Sequence, residues 1–182
     1  YQGVPEAGYT PIFQKMLDHP QITVRLNTRY QEALPDLDYE RLVITGPIDE
    51  YFDYSLGALK YRCLRFEFEH LPQESFQNLA VINYPGGEPF TRITEMKKLT
   101  FQKHPGTTIC REYPSWQGEP SYPVPQKEQK ALYRRYEQLA EQEQTKGVFF
   151  LGRLGRYKYI NMDQAVAEAM ELGDYINSKT IE

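Results

Sequence analysis

The residues of this chain best suited to chemistry are arginines, tyrosines and one short turn bracketed by glycines. Phe149-Phe150-Leu151-Gly152-Arg153-Leu154-Gly155 reads as an apolar strand running into glycine. It leads through Arg156-Tyr157-Lys158-Tyr159-Ile160-Asn161-Met162-Asp163 into the last helix. A strand ending in glycine lets a ligand approach the backbone closely, and a helix N-terminus beyond it offers free N–H groups and partial positive charge. That pairing suits a flat ring with negative charge at one edge. The same residues also make a plain turn, with Asn161 or Asp163 as the helix cap. Arg92 stands in an apolar strand after Pro89-Phe90-Thr91. A guanidinium there can clamp a diphosphate through two parallel hydrogen bonds. It can equally reach solvent or pair with Glu112. Glu112 itself, between Arg111 and Tyr113, is a buried acid or an ion-pair partner. Tyr122 lies in a proline-rich loop, where exposed aromatics serve recognition.

Other chemistries lack their residues. The sequence holds no G-x-G-x-x-G after a strand and no P-loop. No Ser-His-Asp or Cys-His set suggests itself, and His19, His70 and His104 flank prolines or loops and read as surface residues. Cys63 and Cys110 form no CxxC pair and have no histidine cluster nearby, which argues against a metal site. Net charge is −4, with Lys and Arg dispersed, so nothing resembles the basic stripe of a nucleic-acid binder. No apolar run is long enough to span a bilayer. The chain has 182 residues, 40% of them hydrophobic, and is expected to be a cytoplasmic, non-inserted globular protein. It opens at Tyr1 rather than Met, which reads as the middle of a longer protein. Fifteen tyrosines are many for this length; most are expected to pack half-exposed strands, and a few to meet ligands.

The elements that must position these residues are legible in outline. Gly8 to Asp18 has Ile12, Phe13, Met16 and Leu17 at helical spacing and stops at His19-Pro20. Ile22 to Leu26 alternates as a strand should, and Arg41 to Thr45 reads as a short buried strand ending in Gly46-Pro47. The middle then becomes a meander of polar–apolar alternation: 61–69, 79–84, 90–96 and 108–113, separated by Pro72, Pro85-Gly86-Gly87 and Pro105-Gly106. One face of that sheet carries Arg62, Asn83, Arg92 or Glu112 according to register, which alternation alone leaves open. Lys127 to Glu143 is an amphipathic helix with Leu132, Tyr136 and Leu139 as its stripe. Gly147 to Gly152 is an apolar strand, and Asp163 to Ile176 a last helix with Val166, Ala169, Met170 and Gly173 on one side. The fold class expected is α/β plus an antiparallel sheet (α+β), with the terminal segments completing a discontinuous cofactor-binding layer around an inserted substrate-facing sheet.

Several stretches, taken in order, resemble the UDP-galactopyranose mutase family. They are Tyr1-Gln2-Gly3-Val4-Pro5 with Gly8-Tyr9; Thr45-Gly46-Pro47-Ile48-Asp49 with Phe52-Asp53; Tyr61-Arg62 with Leu64; and Asn83-Tyr84. Phe90-Thr91-Arg92-Ile93-Thr94-Glu95, Arg111-Glu112-Tyr113-Pro114, Tyr122-Pro123, and Gly152-Arg153-Leu154-Gly155 with Tyr157 and Tyr159 follow. Each motif alone is weak; the ordered set spans essentially the whole chain and is specific.

The resemblance implies an isomerase that interconverts UDP-galactopyranose and UDP-galactofuranose on reduced FAD without net redox change, a step in galactofuranose supply for cell-surface polysaccharide. The cofactor carries the chemistry, and the protein positions and neutralises. It implies that Arg92 binds the diphosphate, that Tyr1, Tyr122 and Tyr159 hydrogen-bond phosphates, and that Asn83 stands near the sugar. Arg92, Glu112 and Tyr159 become the catalytic set. Gly152, Arg153, Asn161, Met162 and Asp163 become the cofactor side, with Asn161 where the family often has Asp. It implies a division into 1–16, the opening of the substrate region; 17–48 with 126–182, the C-terminal parts of the FAD layer; and 49–125, the substrate sheet. The family's glycine-rich FAD loop and a second diphosphate arginine belong to a preceding region, so the chain is expected to be a C-terminal portion, inactive when isolated. The resemblance also allows a homodimer. Two other functions fit the residues: a non-catalytic module binding a nucleotide sugar or glycan, and a flavin amine-oxidase-like oxidoreductase. The diphosphate set argues against the oxidoreductase, and the Gly152–Asp163 turn against the plain binder.

Overall fold

The computed structural model describes residues 3–179. In chain order the elements are α1 (Thr10–Leu17), α2 (Tyr30–Ala33) with a 3-10 turn (Leu34–Asp36), β1 (Leu42–Ile44), α3 (Ile48–Tyr51), β2 (Tyr61–Leu71), β3 (Val81–Asn83), β4 (Arg92–Glu95) and α4 (Met96–Leu99). Then come β5 (Thr107–Ser115), β6 (Pro120–Pro123), α5 (Lys127–Gln144), β7 (Val148–Phe150), α6 (Gly152–Gly155) and α7 (Met162–Lys179). The chain is mixed α and β, with an antiparallel sheet and one parallel pair. It forms two compact units. One holds Tyr1–Leu37 and Arg65–Pro114; the other holds Asp38–Leu64 and Ser115–Glu182.

The first unit is built on strands β3, β4, β5 and the later part of β2. β3 pairs antiparallel with β4, and β4 with β5. A single carboxylate organises its interior. Glu95 is fully buried and accepts the backbone N–H groups of Phe76 (3.1 Å) and Gln77 (3.0 Å) and the hydroxyl of Thr107 (2.8 Å), with the Lys98 ammonium at 3.3 Å. Burial by itself would raise its pKa. The four donors outweigh that and hold the carboxyl down at about 2. An irregular loop with few apolar residues is thereby tied to the sheet.

The second unit has a true apolar core. Ile48, Leu59, Tyr61, Tyr136 and Tyr157 are buried together, with Leu132 and Leu139 of α5 packed against them. Asp49, 1% exposed, accepts the Leu59 N–H (2.8 Å) and the Tyr61 hydroxyl (3.1 Å). Burial first, and then the Asp49 charge, push the Tyr61 hydroxyl far above its ordinary range, so it remains a donor. The parallel pair β1–β7 sets Leu42, Val43 and Ile44 against Val148, Phe149 and Phe150. β6 pairs antiparallel with the start of β2.

Three expectations need correction. Ile22 to Leu26 is no strand; its alternating residues find no ladder partner among the described residues, and Ile22, Val24 and Leu26 are 43%, 50% and 78% exposed. β1 is only partly buried: Ile44 is covered, but Val43 is exposed, because a two-stranded sheet leaves a face open. In β2 the alternation produces one buried face only at Tyr61 and Cys63; Phe66 and Phe68 beyond them are exposed. The apolar side of α7 is likewise uncovered at Val166 and Met170.

Candidate functional site

Strand register decides which polar residues meet. In the first unit Asn83 lies opposite Arg92, and Arg92 opposite Glu112, so the three form one row across β3, β4 and β5. Directly opposed residues share a face of the sheet. The Arg92 Nε donates to Asn83 Oδ1 at 2.9 Å, and its Nη1 stands 3.6 Å from Glu112 Oε2. The Thr91 hydroxyl and N–H both donate to the Glu112 carbonyl, at 3.2 and 2.8 Å, which pins the carboxylate's base. Glu112 is mostly covered, at 17% side-chain exposure, while Arg92 remains 45% exposed. The guanidinium is thus held from two sides with an edge left to solvent, the geometry of an arginine that can take an anion without first being ordered. Of the four residues whose register was open, three come together here. Arg62 lies elsewhere, opposite Tyr122.

The second unit assembles the other group. The rings of Tyr122 (β6) and Tyr159 meet edge to face at 5.8 Å, and the Arg153 guanidinium lies 4.8 Å from the Tyr159 ring centre. Arg153 donates to the Ile160 carbonyl through Nε (3.2 Å) and Nη2 (2.7 Å), and Nη1 reaches the Ser121 carbonyl at 3.4 Å. Its hydrogen bonds are therefore spent on the backbone. It supplies charge and clamps the loop, while Tyr159, 66% exposed, is free to present its hydroxyl.

The glycine turn is more compact than a strand meeting a long helix. After β7 the chain makes the four-residue helix α6. Gly152 has φ +78 and nothing within 4 Å of where a Cβ would stand, so its backbone is open to an approaching group. Gly155 serves a different end. A Cβ there would lie 2.9 Å from the Ile44 carbonyl oxygen, so glycine lets α6 pack on the end of β1. Asn161 takes the N-cap place of α7: its carbonyl accepts the Ala165 N–H (3.0 Å), and Gln164 reaches back to accept the Asn161 N–H (3.0 Å), half of a capping box. Met162 and Asp163 are exposed on the first turn. Tyr1 lies outside the described residues.

A sequence model of the UDP-galactopyranose mutase family matches residues 1–159. The chain belongs to that family. Among its relatives, a probable UDP-galactopyranose mutase of Klebsiella pneumoniae is 39% identical over 96% of this chain and 46% of its own length. The dTDP-fucopyranose mutase of Escherichia coli is 34% identical over 94% of the chain and 48% of its own. The UDP-galactopyranose mutase of Mycoplasma genitalium is also 34% identical, over 91% and 45%. The chain thus spans about half the length of the curated relatives it matches. The fold is similar to that of a crystal structure of reduced UDP-galactopyranose mutase, with a TM-score of 0.65 over 80% of this chain and 42% of that one, at 15% identity.

Two groups near these mutase-family motifs carried no signal that isolated them. Trp116, 60% exposed, is covered on one face by Arg62, 3.8 Å from its ring centre. Tyr157, one of two tyrosines in the last motif, turns inward while Tyr159 turns out. Their spacing in the sequence did not say which of the two would be buried. Among the described residues no cluster of His, Cys, Asp and Glu is arranged to hold a metal, and no helix is long and apolar enough to cross a membrane.

Proposed function

We propose that this chain is the C-terminal portion of a flavin-dependent mutase that interconverts UDP-galactopyranose and UDP-galactofuranose. The observation that carries the proposal is the Asn83–Arg92–Glu112 row. It is an arginine steadied by an amide and a carboxylate, with an open edge, on a family motif. Arg92 binds the diphosphate and neutralises charge that grows on the leaving group as the anomeric bond breaks. Glu112 and Asn83 act mainly by fixing the guanidinium. Tyr122 and Tyr159 donate hydroxyl protons to phosphate oxygens, with the Arg153 charge behind them. A plain glycan binder would need no such anion set, and an amine oxidase takes no diphosphate.

The turn around Gly152 and the start of α7 are suited to a flavin. Gly152 leaves its backbone uncovered at the end of β7, and Met162 and Asp163 stand exposed at the start of α7. These residues, with Arg153 and Asn161, would hold FAD in its reduced form. When bound, it supplies the bond-making chemistry at the anomeric carbon. Exposed apolar residues on α1 (Ile12, Phe13, Met16) and α7 (Val166, Met170) are surfaces that a further region of the protein would cover. The isolated chain is accordingly expected to bind FAD weakly and not to turn over. Two buried, unpaired cysteines suit a reducing cytoplasm.

The test uses the full-length protein, reduced with dithionite under nitrogen and mixed with UDP-galactofuranose, with products separated by chromatography. Conversion to UDP-galactopyranose that requires reduced flavin and collapses in Arg92→Ala supports the proposal. A folded, flavin-loaded protein that converts dTDP-fucopyranose but not the UDP sugar overturns the substrate assignment. One that converts neither overturns the mutase reading.

A further inference from the structure

One buried tyrosine has no part in the chemistry above, yet it joins every segment that carries the Tyr122–Arg153–Tyr159 group. Tyr157 is 6% exposed and has φ +47, a left-handed backbone that a non-glycine residue keeps only where its surroundings hold it. Its hydroxyl stands 2.7 Å from the Lys60 carbonyl and 3.0 Å from the Val124 carbonyl, and it accepts the Val124 N–H at 3.3 Å. Its ring meets Tyr61 edge-on at 5.3 Å and stacks on Tyr133 at 5.6 Å. The hydroxyl therefore fastens the turn at 157 to the residue before β2 and the residue after β6, which also bond each other directly through the Val124 N–H and the Lys60 carbonyl (3.1 Å). Tyr122 is two residues before Val124 on one side of this knot, and Tyr159 two residues after Tyr157 on the other. The Lys158 N–H donates to the Arg153 carbonyl (3.0 Å), which closes the same loop around Arg153.

We propose that Tyr157 is a positioning residue that sets the distance between the Tyr122 and Tyr159 hydroxyls, and so the affinity for a nucleoside diphosphate. The inference rests on the reading of that pair as phosphate ligands. Packing alone does not require the hydroxyl, since phenylalanine would fill the same space. All the hydroxyl's partners are backbone groups next to the ends of β2 and β6, at Lys60 and Val124. Without it the Val124 end of β6 and the turn at 157 lose their common tie, and the half-buried Tyr122 ring and the exposed Tyr159 ring lose their fixed separation.

The probe is UDP, titrated calorimetrically into the full-length protein as wild type, Tyr157→Phe, Tyr122→Phe and the double variant. Tyr157→Phe is expected to raise the Kd by about tenfold, the loss that follows when one good hydrogen bond is misaligned. The double variant should bind about as weakly as Tyr122→Phe alone, because a positioning residue has nothing left to position. A merely structural tyrosine would lower the melting temperature and leave the Kd alone, or give losses that multiply in the double variant; either result overturns the inference. Failure of the wild type to bind UDP overturns the diphosphate reading and this inference with it.

Discussion

Replacing Glu95 with Gln removes a charge from the most completely enclosed carboxylate of the first unit. Its Oε1 accepts Phe76 N–H and the Thr107 hydroxyl, and its Oε2 accepts Gln77 N–H beside the Lys98 ammonium. A glutamine can supply only one acceptor oxygen, so its amide N–H groups would face donors. Lowering the carboxyl from its ordinary 4.5 to about 2 corresponds to about 3 kcal/mol of stability at 1.36 kcal/mol per pH unit. The folded pKa is depressed, so that contribution is complete above pH 4.5, declines as the pH falls and is gone below about 2. Urea unfolding, followed by circular dichroism from pH 7 down to 2.5, should therefore show Glu95→Gln less stable by about 2–4 kcal/mol at pH 7. The gap should narrow as the wild type loses its advantage in acid. Other carboxylates titrate in both proteins and cancel in the difference. A gap that stays constant with pH, or one below about 0.5 kcal/mol at pH 7, would refute the claim that four donors hold this carboxylate charged.

Gly155→Ala should destabilise the second unit by about 1–3 kcal/mol in thermal melts, because its methyl would meet the Ile44 carbonyl at 2.9 Å and backbone must give way. Tyr136→Phe should cost about 1–3 kcal/mol by urea titration, since the hydroxyl donates to the Gly57 carbonyl (2.8 Å) and accepts the Leu56 N–H (3.2 Å) in a fully buried setting. Iodoacetamide should label neither cysteine in the native state. Both are buried, and burial, followed by the nearby Glu112 charge, pushes the Cys110 thiol up, away from its reactive form. Native-state labelling of Cys110 at the rate of a free thiol would contradict that.

Much of the architecture was written in local pattern. Residue periodicity was enough for α5, because Leu132, Tyr136 and Leu139 recur at helical spacing on a charged cylinder and all turn inward. The Gly-bracketed turn at 152–155 and the ordered motifs carried the family. What local pattern could not decide was partnership. Ile22 to Leu26 alternates as well as any strand here, yet none of the described residues offers it a ladder. Asn83, Arg92 and Glu112 are scattered over thirty positions, and a one-residue slip would have turned any of them to the opposite face. Only the pairing of β3, β4 and β5 makes them a row, because register is set by the buried side of the whole sheet, not by any single strand. Tyr157 and Tyr159 show the same division. Their identities and spacing belong to the sequence. Which of the two is buried follows from the hydrogen bonds that Lys60 and Val124, distant in the chain, offer to one hydroxyl and not to the other.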